Sequence, residues 1–185
     1  HIEKNLKKVC KRIGCSTNNL ILLKQIHSNK VHTIKKNLKK KLKGDSLITN
    51  KKKIALGILT ADCAPVFIYD PKNNFISAIH VGWRGAYKKI ITKTLNNLKK
   101  RGSKINNLIT VIGPCISKKS YEVKNDFFNR FLKQSKINKR FFLIKNKRKF
   151  FGLNEYIKNE LIKKGIKNIE IIKKDTYLNK NNFFS

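Results

Sequence analysis

Three short apolar segments between residues 54 and 81 constrain the fold of this chain more than any other feature. Residues 54–60 are almost continuously apolar, residues 66–69 follow Pro65, and residues 75–81 follow the turn sequence Asp-Pro-Lys-Asn-Asn. Short apolar runs bounded by turn residues are typical of strands, and the first run has the pattern of a strand buried on both faces. In the third run, alternation places His80 on the same face as Ala78.

Helical and strand patterns intermix along the rest of the chain. Apolar residues at helical spacing predict four helices, at residues 5–13, from 82–85 to Gly102, over 123–132, and from an Asn154 cap to Gly165. Further strands are predicted at residues 20–27, 108–112, 141–144 and 169–172, an exposed loop or edge at 35–43, and a turn at 44–46. No repeat and no linker divides these elements. We therefore expect a single mixed α/β domain over residues 1–185, with a mixed β-sheet core layered by helices.

The charge of the chain is extreme, with 44 basic against 10 acidic residues and a net charge of +34. Such a charge attracts nucleic acid and other anions. However, most of the basic residues are lysines spread along the whole chain, and Asn, Ile and Phe are also abundant. All four residue types have A/T-rich codons, so compositional bias explains the charge better than a dedicated nucleic-acid surface.

The location of the protein is expected to be cytoplasmic. No uncharged apolar run approaches the ~20 residues that a membrane helix needs, and no secretory leader is visible. Four cysteines are scattered along the chain without a dense framework. In a reducing compartment, free thiols or metal ligands are favoured over disulfides.

Two histidines and one cysteine form the first candidate site. His27 and His80 lie at predicted strand ends, and Cys63 follows the predicted strand 54–60. Two imidazole nitrogens and one thiolate would make a three-ligand zinc site whose fourth position is open, which is the catalytic pattern. The alternative is that these are satisfied core histidines and an inert buried thiol.

A glycine-rich break and one aspartate complete the candidates. The sequence Gly82-Trp83-Arg84-Gly85 offers close backbone approach, the start of a helix and a guanidinium suited to phosphate or carboxylate. Its alternative is a plain strand-to-helix turn packed by Trp83. Asp62, next to Cys63, is a candidate proton shuttle, or else a turn aspartate bonded to its own backbone.

Five motifs occur in the order and spacing of a known family. They are QIHS at residues 25–28, GDS at 44–46, TADCAPV at 60–66, AIHVGWRG at 78–85 and GPCI at 113–116. On these motifs the chain resembles the bacterial laccase-domain proteins. That family was long labelled multicopper polyphenol oxidases and is now associated with purine nucleoside phosphorylase and adenosine deaminase activity.

The resemblance implies a zinc-dependent purine nucleoside enzyme with His27, Cys63 and His80 as metal ligands. Expected reactions are the phosphorolysis of adenosine, inosine and methylthioadenosine, and the deamination of adenosine. The substrates are therefore purine nucleosides and phosphate. Asp62, Cys63, His80 and Arg84 are the expected catalytic residues, and phosphate and substrate are expected to bind at Gln25, Gly82, Arg84 and Gly85. The implied fold is similar to the catalytic domain of a deamidating bacterial cytotoxin, whose Cys/His pair parallels Cys63 and His80.

Copper fits the sequence less well than zinc. Multicopper sites need many histidines, and blue-copper sites often add a methionine. This chain has three internal histidines and no methionine, so one metal site can be built but not a cluster. We also expect the chain to lack an N-terminal segment that family members have before the equivalent of Asn5.

Three alternative functions remain open from the sequence. Cys63 and His80 could act as a metal-free thiol hydrolase. The chain could be a basic nucleic-acid-binding module. It could also be a structural zinc domain without catalysis, for which Cys115 is the spare fourth ligand.

Overall fold

The computed structural model describes residues 2–38, 40–179 and 181–185, and His1, Lys39 and Lys180 lie outside the described residues. The five α-helices are α1 (Ile2–Arg12), α2 (Trp83–Tyr87), α3 (Ile90–Lys99), α4 (Asn125–Gln134) and α5 (Leu153–Lys163). The strands in the first half are β1 (Leu20–Leu22), β2 (Val31–Thr33), β3 (Ser46–Thr49), β4 (Ala55–Gly57), β5 (Ala64–Asp70) and β6 (Phe75–Val81). Those in the second half are β7 (Ile109–Ile112), β8 (Glu122–Val123), β9 (Phe142–Lys145), β10 (Arg148–Phe151) and β11 (Asn168–Ile171).

A six-stranded mixed sheet forms the centre of the molecule, in the order β11-β7-β5-β6-β3-β2. The strand β5 pairs antiparallel with both β6 and β7, whereas β2 runs parallel to β3 and β11 parallel to β7. One main core contains residues of β5 and β6 together with buried residues of α3, α4 and α5. The expected fold class, a mixed sheet layered by helices in one domain, is confirmed.

Two smaller sheets complete the architecture. The parallel pair β1-β4 contributes to a second apolar cluster formed by Ile21, Leu23, Ile34 and Leu47. The antiparallel sheet β8-β10-β9 lies beside α4, whose Phe127, Phe128 and Phe131 contact aromatic residues of β9 and β10. Among the described residues, no helix combines the length and the apolar character needed to cross a membrane.

Two of the expected strands are shorter than the sequence indicates. The run 54–60 forms only β4, which is half-buried and pairs with β1 alone, so the prediction of burial on both faces is wrong. The expected strand 20–27 ends at Leu22. Beyond it, the backbone N–H groups of residues 26–28 donate to a carboxylate instead of a neighbouring strand.

The strand β3 is absent from the sequence prediction, which placed only a turn at 44–46. It is buried throughout although it begins and ends with a hydroxyl residue. Ser46 Oγ lies 2.9 Å from Thr94 Oγ1, and Thr49 Oγ1 donates to the carbonyl of Ile34 at 2.8 Å. Because these hydroxyls find partners inside the protein, the strand can be buried without an apolar pattern. The strands β2, β8 and β10 were also not predicted.

The helix expected from 82–85 to Gly102 is two helices. Lys89 lies in the left-handed region at φ 63° and separates α2 from α3. Helix α5 begins at Leu153 with Gly152 as its cap, so the expected Asn154 cap is wrong by two residues. Val123, expected in a helix, is in β8.

Candidate metal centre

The three predicted ligands lie together. Nitrogen atoms of His27 and His80 and Sγ of Cys63 all lie within 4.8 Å of one another. The Cys63 Sγ and His27 Nε2 are 3.9 Å apart, and the two imidazole rings meet edge to face with centroids 4.8 Å apart. Among the described residues, this is the one group of three or more His, Cys, Asp or Glu side chains that could share a metal ion.

The register of the central sheet explains why Cys63 and His80 meet. In the β5-β6 pair, Pro65 lies opposite His80 and Ala64 opposite Val81. Cys63 immediately precedes β5 and therefore lies beside Gly82, which immediately follows β6. His27 reaches the same point from the loop after β1.

Gly82 is required by the close packing of these ligands. A Cβ atom at this position would lie 2.9 Å from Cys63 Sγ and 2.9 Å from His27 Cδ2, closer than real Cβ contacts allow. Gly85 has a related function, since a Cβ there would lie 3.2 Å from the Ser28 carbonyl oxygen. Both glycines therefore let the His27 loop approach the end of β6.

Asp45, fully buried, connects the loop to the strand. Its Oδ1 accepts from the N–H groups of Ile26 and His27 at 3.1 and 3.0 Å, and its Oδ2 accepts from the N–H and the hydroxyl of Ser28, both at 2.6 Å. Oδ1 also lies 2.9 Å from Nδ1 of His80. An ionised carboxylate only accepts, so Nδ1 of His80 carries the proton and its Nε2 keeps a lone pair.

The backbone of His27 is held in an unfavourable conformation by these bonds. His27 has φ 54°, in the left-handed region that non-glycine residues rarely adopt. Such strain persists only where the surroundings enforce it. Three consecutive N–H groups converging on Asp45 supply that enforcement and aim the imidazole toward Cys63.

Sequence reasoning did not identify Asp45 as part of the site. The sequence placed Asp45 in a predicted turn and in the GDS motif, as one of only ten acidic residues, and gave it no function. The available signal was the carboxylate of that motif immediately before a strand. Burial alone would raise the pKa of Asp45, but the hydrogen bonds from Ser28 and His80 outweigh it and lower the pKa. Asp45 is therefore a charged acceptor at neutral pH.

Burial also shifts the pKa values of His80 and Cys63. It lowers the pKa of His80, and the bond to Asp45 offsets this only in part. Burial also raises the pKa of the Cys63 thiol to about 11, with the negative charges of Asp62 and Asp45 adding to the effect. A thiol of this kind is a poor nucleophile on its own. This environment therefore disfavours the metal-free thiol hydrolase.

The donor set fits a borderline-soft divalent cation. Two imidazole nitrogens and a sulfur are zinc ligands, and a cation here would offset the negative charges that raise the pKa of Cys63. His27 is exposed, Cys63 is partly buried and His80 is 4% exposed, so one side of the group faces solvent.

Cys115 does not belong to the group. It is buried, and burial followed by the charges of Asp175, Cys63 and Asp62 raises its pKa to about 12. The described residues therefore do not form a closed four-ligand site that includes Cys115.

Asp62 is engaged with the end of the chain. Its Oδ1 accepts from Thr176 Oγ1 at 2.7 Å and its Oδ2 from Ser185 Oγ at 2.9 Å. Its backbone is left-handed at φ 67°, and its carbonyl accepts from the N–H of Ile116 at 3.0 Å. The residue thus ties the Cys63 loop to the segments that carry Ile116 and Thr176.

Arg84 is exposed, and its guanidinium carbon lies 5.3 Å from the centroid of the Trp83 ring. Arg130 approaches the same ring at 5.7 Å. Helix α2, which begins after Gly82, has only five residues and therefore sums few peptide dipoles for attracting an anion. The binding group that the structure offers here is the guanidinium itself.

Gln25 joins two loops. Its Nε2 donates to the carbonyl of Leu59 at 2.7 Å, and its Oε1 accepts from the N–H of Leu59 at 2.9 Å. His32, the remaining described histidine, lies outside the site with Nε2 2.9 Å from the Lys43 carbonyl oxygen.

Comparisons with known proteins show the family of the chain. A family model described as multi-copper polyphenol oxidoreductase laccase matches residues 1–185. A purine nucleoside phosphorylase of Rickettsia conorii is 35% identical over 162 residues, which are 86% of this chain and 67% of that protein. One of Aquifex aeolicus is 33% identical over 155 residues, 82% of this chain and 68% of that protein.

Solved structures share the same fold. The crystal structure of hypothetical protein YfiH of Bacillus licheniformis aligns with a TM-score of 0.92 at 26% identity, over 100% of this chain and 74% of that one. A Neisseria meningitidis protein aligns with a TM-score of 0.90 at 25% identity, with the same coverage. The chain therefore belongs to the laccase-like family of multi-copper polyphenol oxidoreductase domains, and its two relatives described above are named purine nucleoside phosphorylases.

Proposed function

We propose that this chain is a zinc-dependent purine nucleoside phosphorylase. The substrates are a purine nucleoside and inorganic phosphate, and the products are the free purine base and a pentose 1-phosphate. The observation that carries the proposal is the convergence of His27, Cys63 and His80 within 4.8 Å, on a loop and strand tied together by Asp45.

His27, Cys63 and His80 would hold the metal. When bound, the ion supplies a Lewis acid that polarises an oxygen or a water molecule. Asp45 fixes the tautomer of His80, so that Nε2 is available as a ligand. Two nitrogens and one sulfur suit both zinc and a blue-copper ion, and zinc is favoured because the chain has no methionine for the axial position of a blue-copper site.

Arg84 is proposed to bind phosphate. Its planar guanidinium matches phosphate oxygens in a bidentate manner. Among the described residues it makes no ion pair with a carboxylate, so its charge is available to an anion. Gly82 and Gly85 shape the adjoining turn.

Asp62 is proposed to hold or move a proton at the leaving purine. Asp62 is the left-handed residue immediately before Cys63, and its carboxylate accepts hydrogen bonds from the hydroxyl groups of Thr176 and Ser185. Hydroxyls can rotate and release such bonds, which leaves the carboxylate available to substrate. The Gln25 amide is proposed to position the loop near the substrate through its paired bonds with Leu59.

Adenosine deamination is a second candidate activity. It is favoured by the carboxylate of Asp62 next to the metal ligand Cys63, since deaminases pair a zinc site with a carboxylate that moves protons. We also propose a cytoplasmic location, supported by four cysteines that are all free thiols, and propose that residues 1–185 form one such domain.

The test is to incubate the purified, metal-loaded chain with adenosine, with and without phosphate, and to identify the products by mass. Phosphate-dependent release of adenine and pentose 1-phosphate supports phosphorolysis, and inosine formed without phosphate supports deamination. His27→Ala is expected to abolish either reaction, whereas the matched control His32→Ala retains it. The proposal is contradicted if the metal-loaded chain forms neither of these products.

A further inference from the structure

The C-terminus of α1 brings two cysteines together in a capping motif. The N–H of Cys15 donates to the Cys10 carbonyl at 3.0 Å, and the N–H of Gly14 donates to the Lys11 carbonyl at 3.4 Å. Gly14 has φ 67°. These are the two bonds and the left-handed residue of a Schellman motif, in which the first and last side chains are in contact.

The distance between Cys10 and Cys15 suits a disulfide. With standard bond lengths, the 3.0 Å backbone bond limits the separation of the two Cα atoms to at most about 7 Å. Disulfides span Cα separations of ~4.4–6.8 Å. The thiols also interact in the reduced protein, since burial and then a hydrogen bond with Cys10 raise the pKa of Cys15.

The two thiols differ in access. Cys10 is 2% exposed, whereas Cys15 is partly exposed. Cys63 belongs to the candidate metal centre, and its charge contributes to the raised pKa of Cys115. The pair at α1 is therefore a separate sulfur site. Cys15 is the thiol accessible to an oxidant in solution, and Cys10 is the buried thiol.

We propose that Cys10 and Cys15 are a reversible oxidation site, converted to an intramolecular disulfide by a small-molecule disulfide. The Cys15 thiolate, a minor form because the pKa of this thiol is raised, attacks one sulfur of the small disulfide, forming a mixed disulfide and releasing one thiol. The Cys10 thiolate then attacks Cys15 Sγ and releases the second thiol. Two protein thiols are oxidised, one small disulfide is reduced to two thiols, and the two protein protons pass to those products. This proposal is independent of the enzymatic function.

Trypsin and mass spectrometry test the proposal on the full chain. Lys11 and Arg12 lie between the two cysteines, so trypsin separates residues 9–11 from residues 13–24. After the folded protein is treated with glutathione disulfide and its remaining thiols are alkylated, these two peptides are expected as one disulfide-linked species that dithiothreitol separates. In the Cys10→Ser variant, Cys15 is expected to retain a stable glutathione adduct instead.

Two results would overturn the proposal. One is a wild-type protein in which Cys15 carries glutathione and Cys10 is alkylated. The other is a wild-type protein in which both thiols remain alkylatable after the same treatment. Cys10 and Cys15 enclose a short loop, which also closes readily in an unfolded chain, so a denatured sample is measured in parallel. A higher yield of the linkage in the folded sample supports the proposal, and an equal or lower yield contradicts the contribution of the capping motif.

Discussion

Replacing Asp45 by Asn removes the negative charge of the side chain and keeps nearly the same shape. The carboxylate accepts five hydrogen bonds, from the N–H groups of Ile26 and His27, the N–H and hydroxyl of Ser28, and Nδ1 of His80. An asparagine oxygen can keep the bonds to Oδ1, but its NH₂ group then faces the N–H of Ser28. One buried donor loses its partner, which costs about 1–3 kcal/mol. The bond to His80 also loses its charge assistance.

We expect Asp45→Asn to lower the free energy of unfolding by about 2 kcal/mol and to weaken zinc binding by about 10- to 100-fold, the usual effect of losing an outer partner of a ligand. Urea unfolding of the metal-free protein measures the first effect, and competition with a chromophoric chelator measures the second.

Asp70→Asn is the matched control. Asp70 is also buried, at 1% exposure, but it accepts hydrogen bonds from Lys72 and Asn73 in the β5-β6 turn, at the far end of both strands from the site. This variant is expected to lose stability and to keep its zinc affinity. Wild-type zinc affinity in Asp45→Asn, or an equal loss in both variants, would refute the reasoning.

Three further changes give distinct outcomes. Gly82→Ala places a Cβ 2.9 Å from Cys63 Sγ and is expected to weaken zinc binding by about 10-fold or more, whereas Gly102→Ala, in open space at φ 92°, lowers only stability in urea unfolding. Arg84→Ala is expected to raise the KM for phosphate by about 10-fold or more. Arg130→Ala, which removes the other guanidinium at Trp83, is expected to leave this KM within about two-fold of wild type. An unchanged KM for phosphate in Arg84→Ala would exclude Arg84 from phosphate binding. Burial would raise the pKa of Asp175, but hydrogen bonds from Ser117 and Ser120 outweigh it and lower the pKa below 3.8. The stability it contributes is therefore present above that value and is lost as the pH falls through the lower folded pKa. Asp175→Asn should lose less stability than wild type between about pH 5 and about pH 3 in urea titrations, and identical losses would contradict this.

The sequence predicted the candidate ligands His80 and Cys63 because each lies next to a strong local signal. His80 ends an alternating strand, Cys63 precedes Pro65 and a strand, and both signals are read within ten residues. The antiparallel β5-β6 register then brings them together. His27 was a candidate because it lies at the end of a predicted strand, but that strand ends at Leu22. The motif resemblance strengthened the assignment of His27 where the strand pattern was wrong.

What the sequence did not predict depends on long-range partners. The burial of β3 rests on hydroxyl bonds to Thr94 and Ile34, which lie 48 and 15 residues away along the chain. Gln25 carries a polar side chain suited to substrate, yet its amide bonds to Leu59, 34 residues away. Lys89 breaks a continuous helical pattern, and its Nζ donates to Tyr156 Oη at 2.6 Å. Such contacts exist only once the chain is folded, so no local pattern reports them.

Metal content combined with X-ray absorption tests the central claim most directly. The account predicts one zinc ion per chain, bound by two nitrogens and one sulfur of the protein, and loss of that ion in His27→Ala but not in His32→Ala. A metal-loaded chain whose ion has no sulfur ligand, or whose stoichiometry is unchanged in His27→Ala, would contradict it.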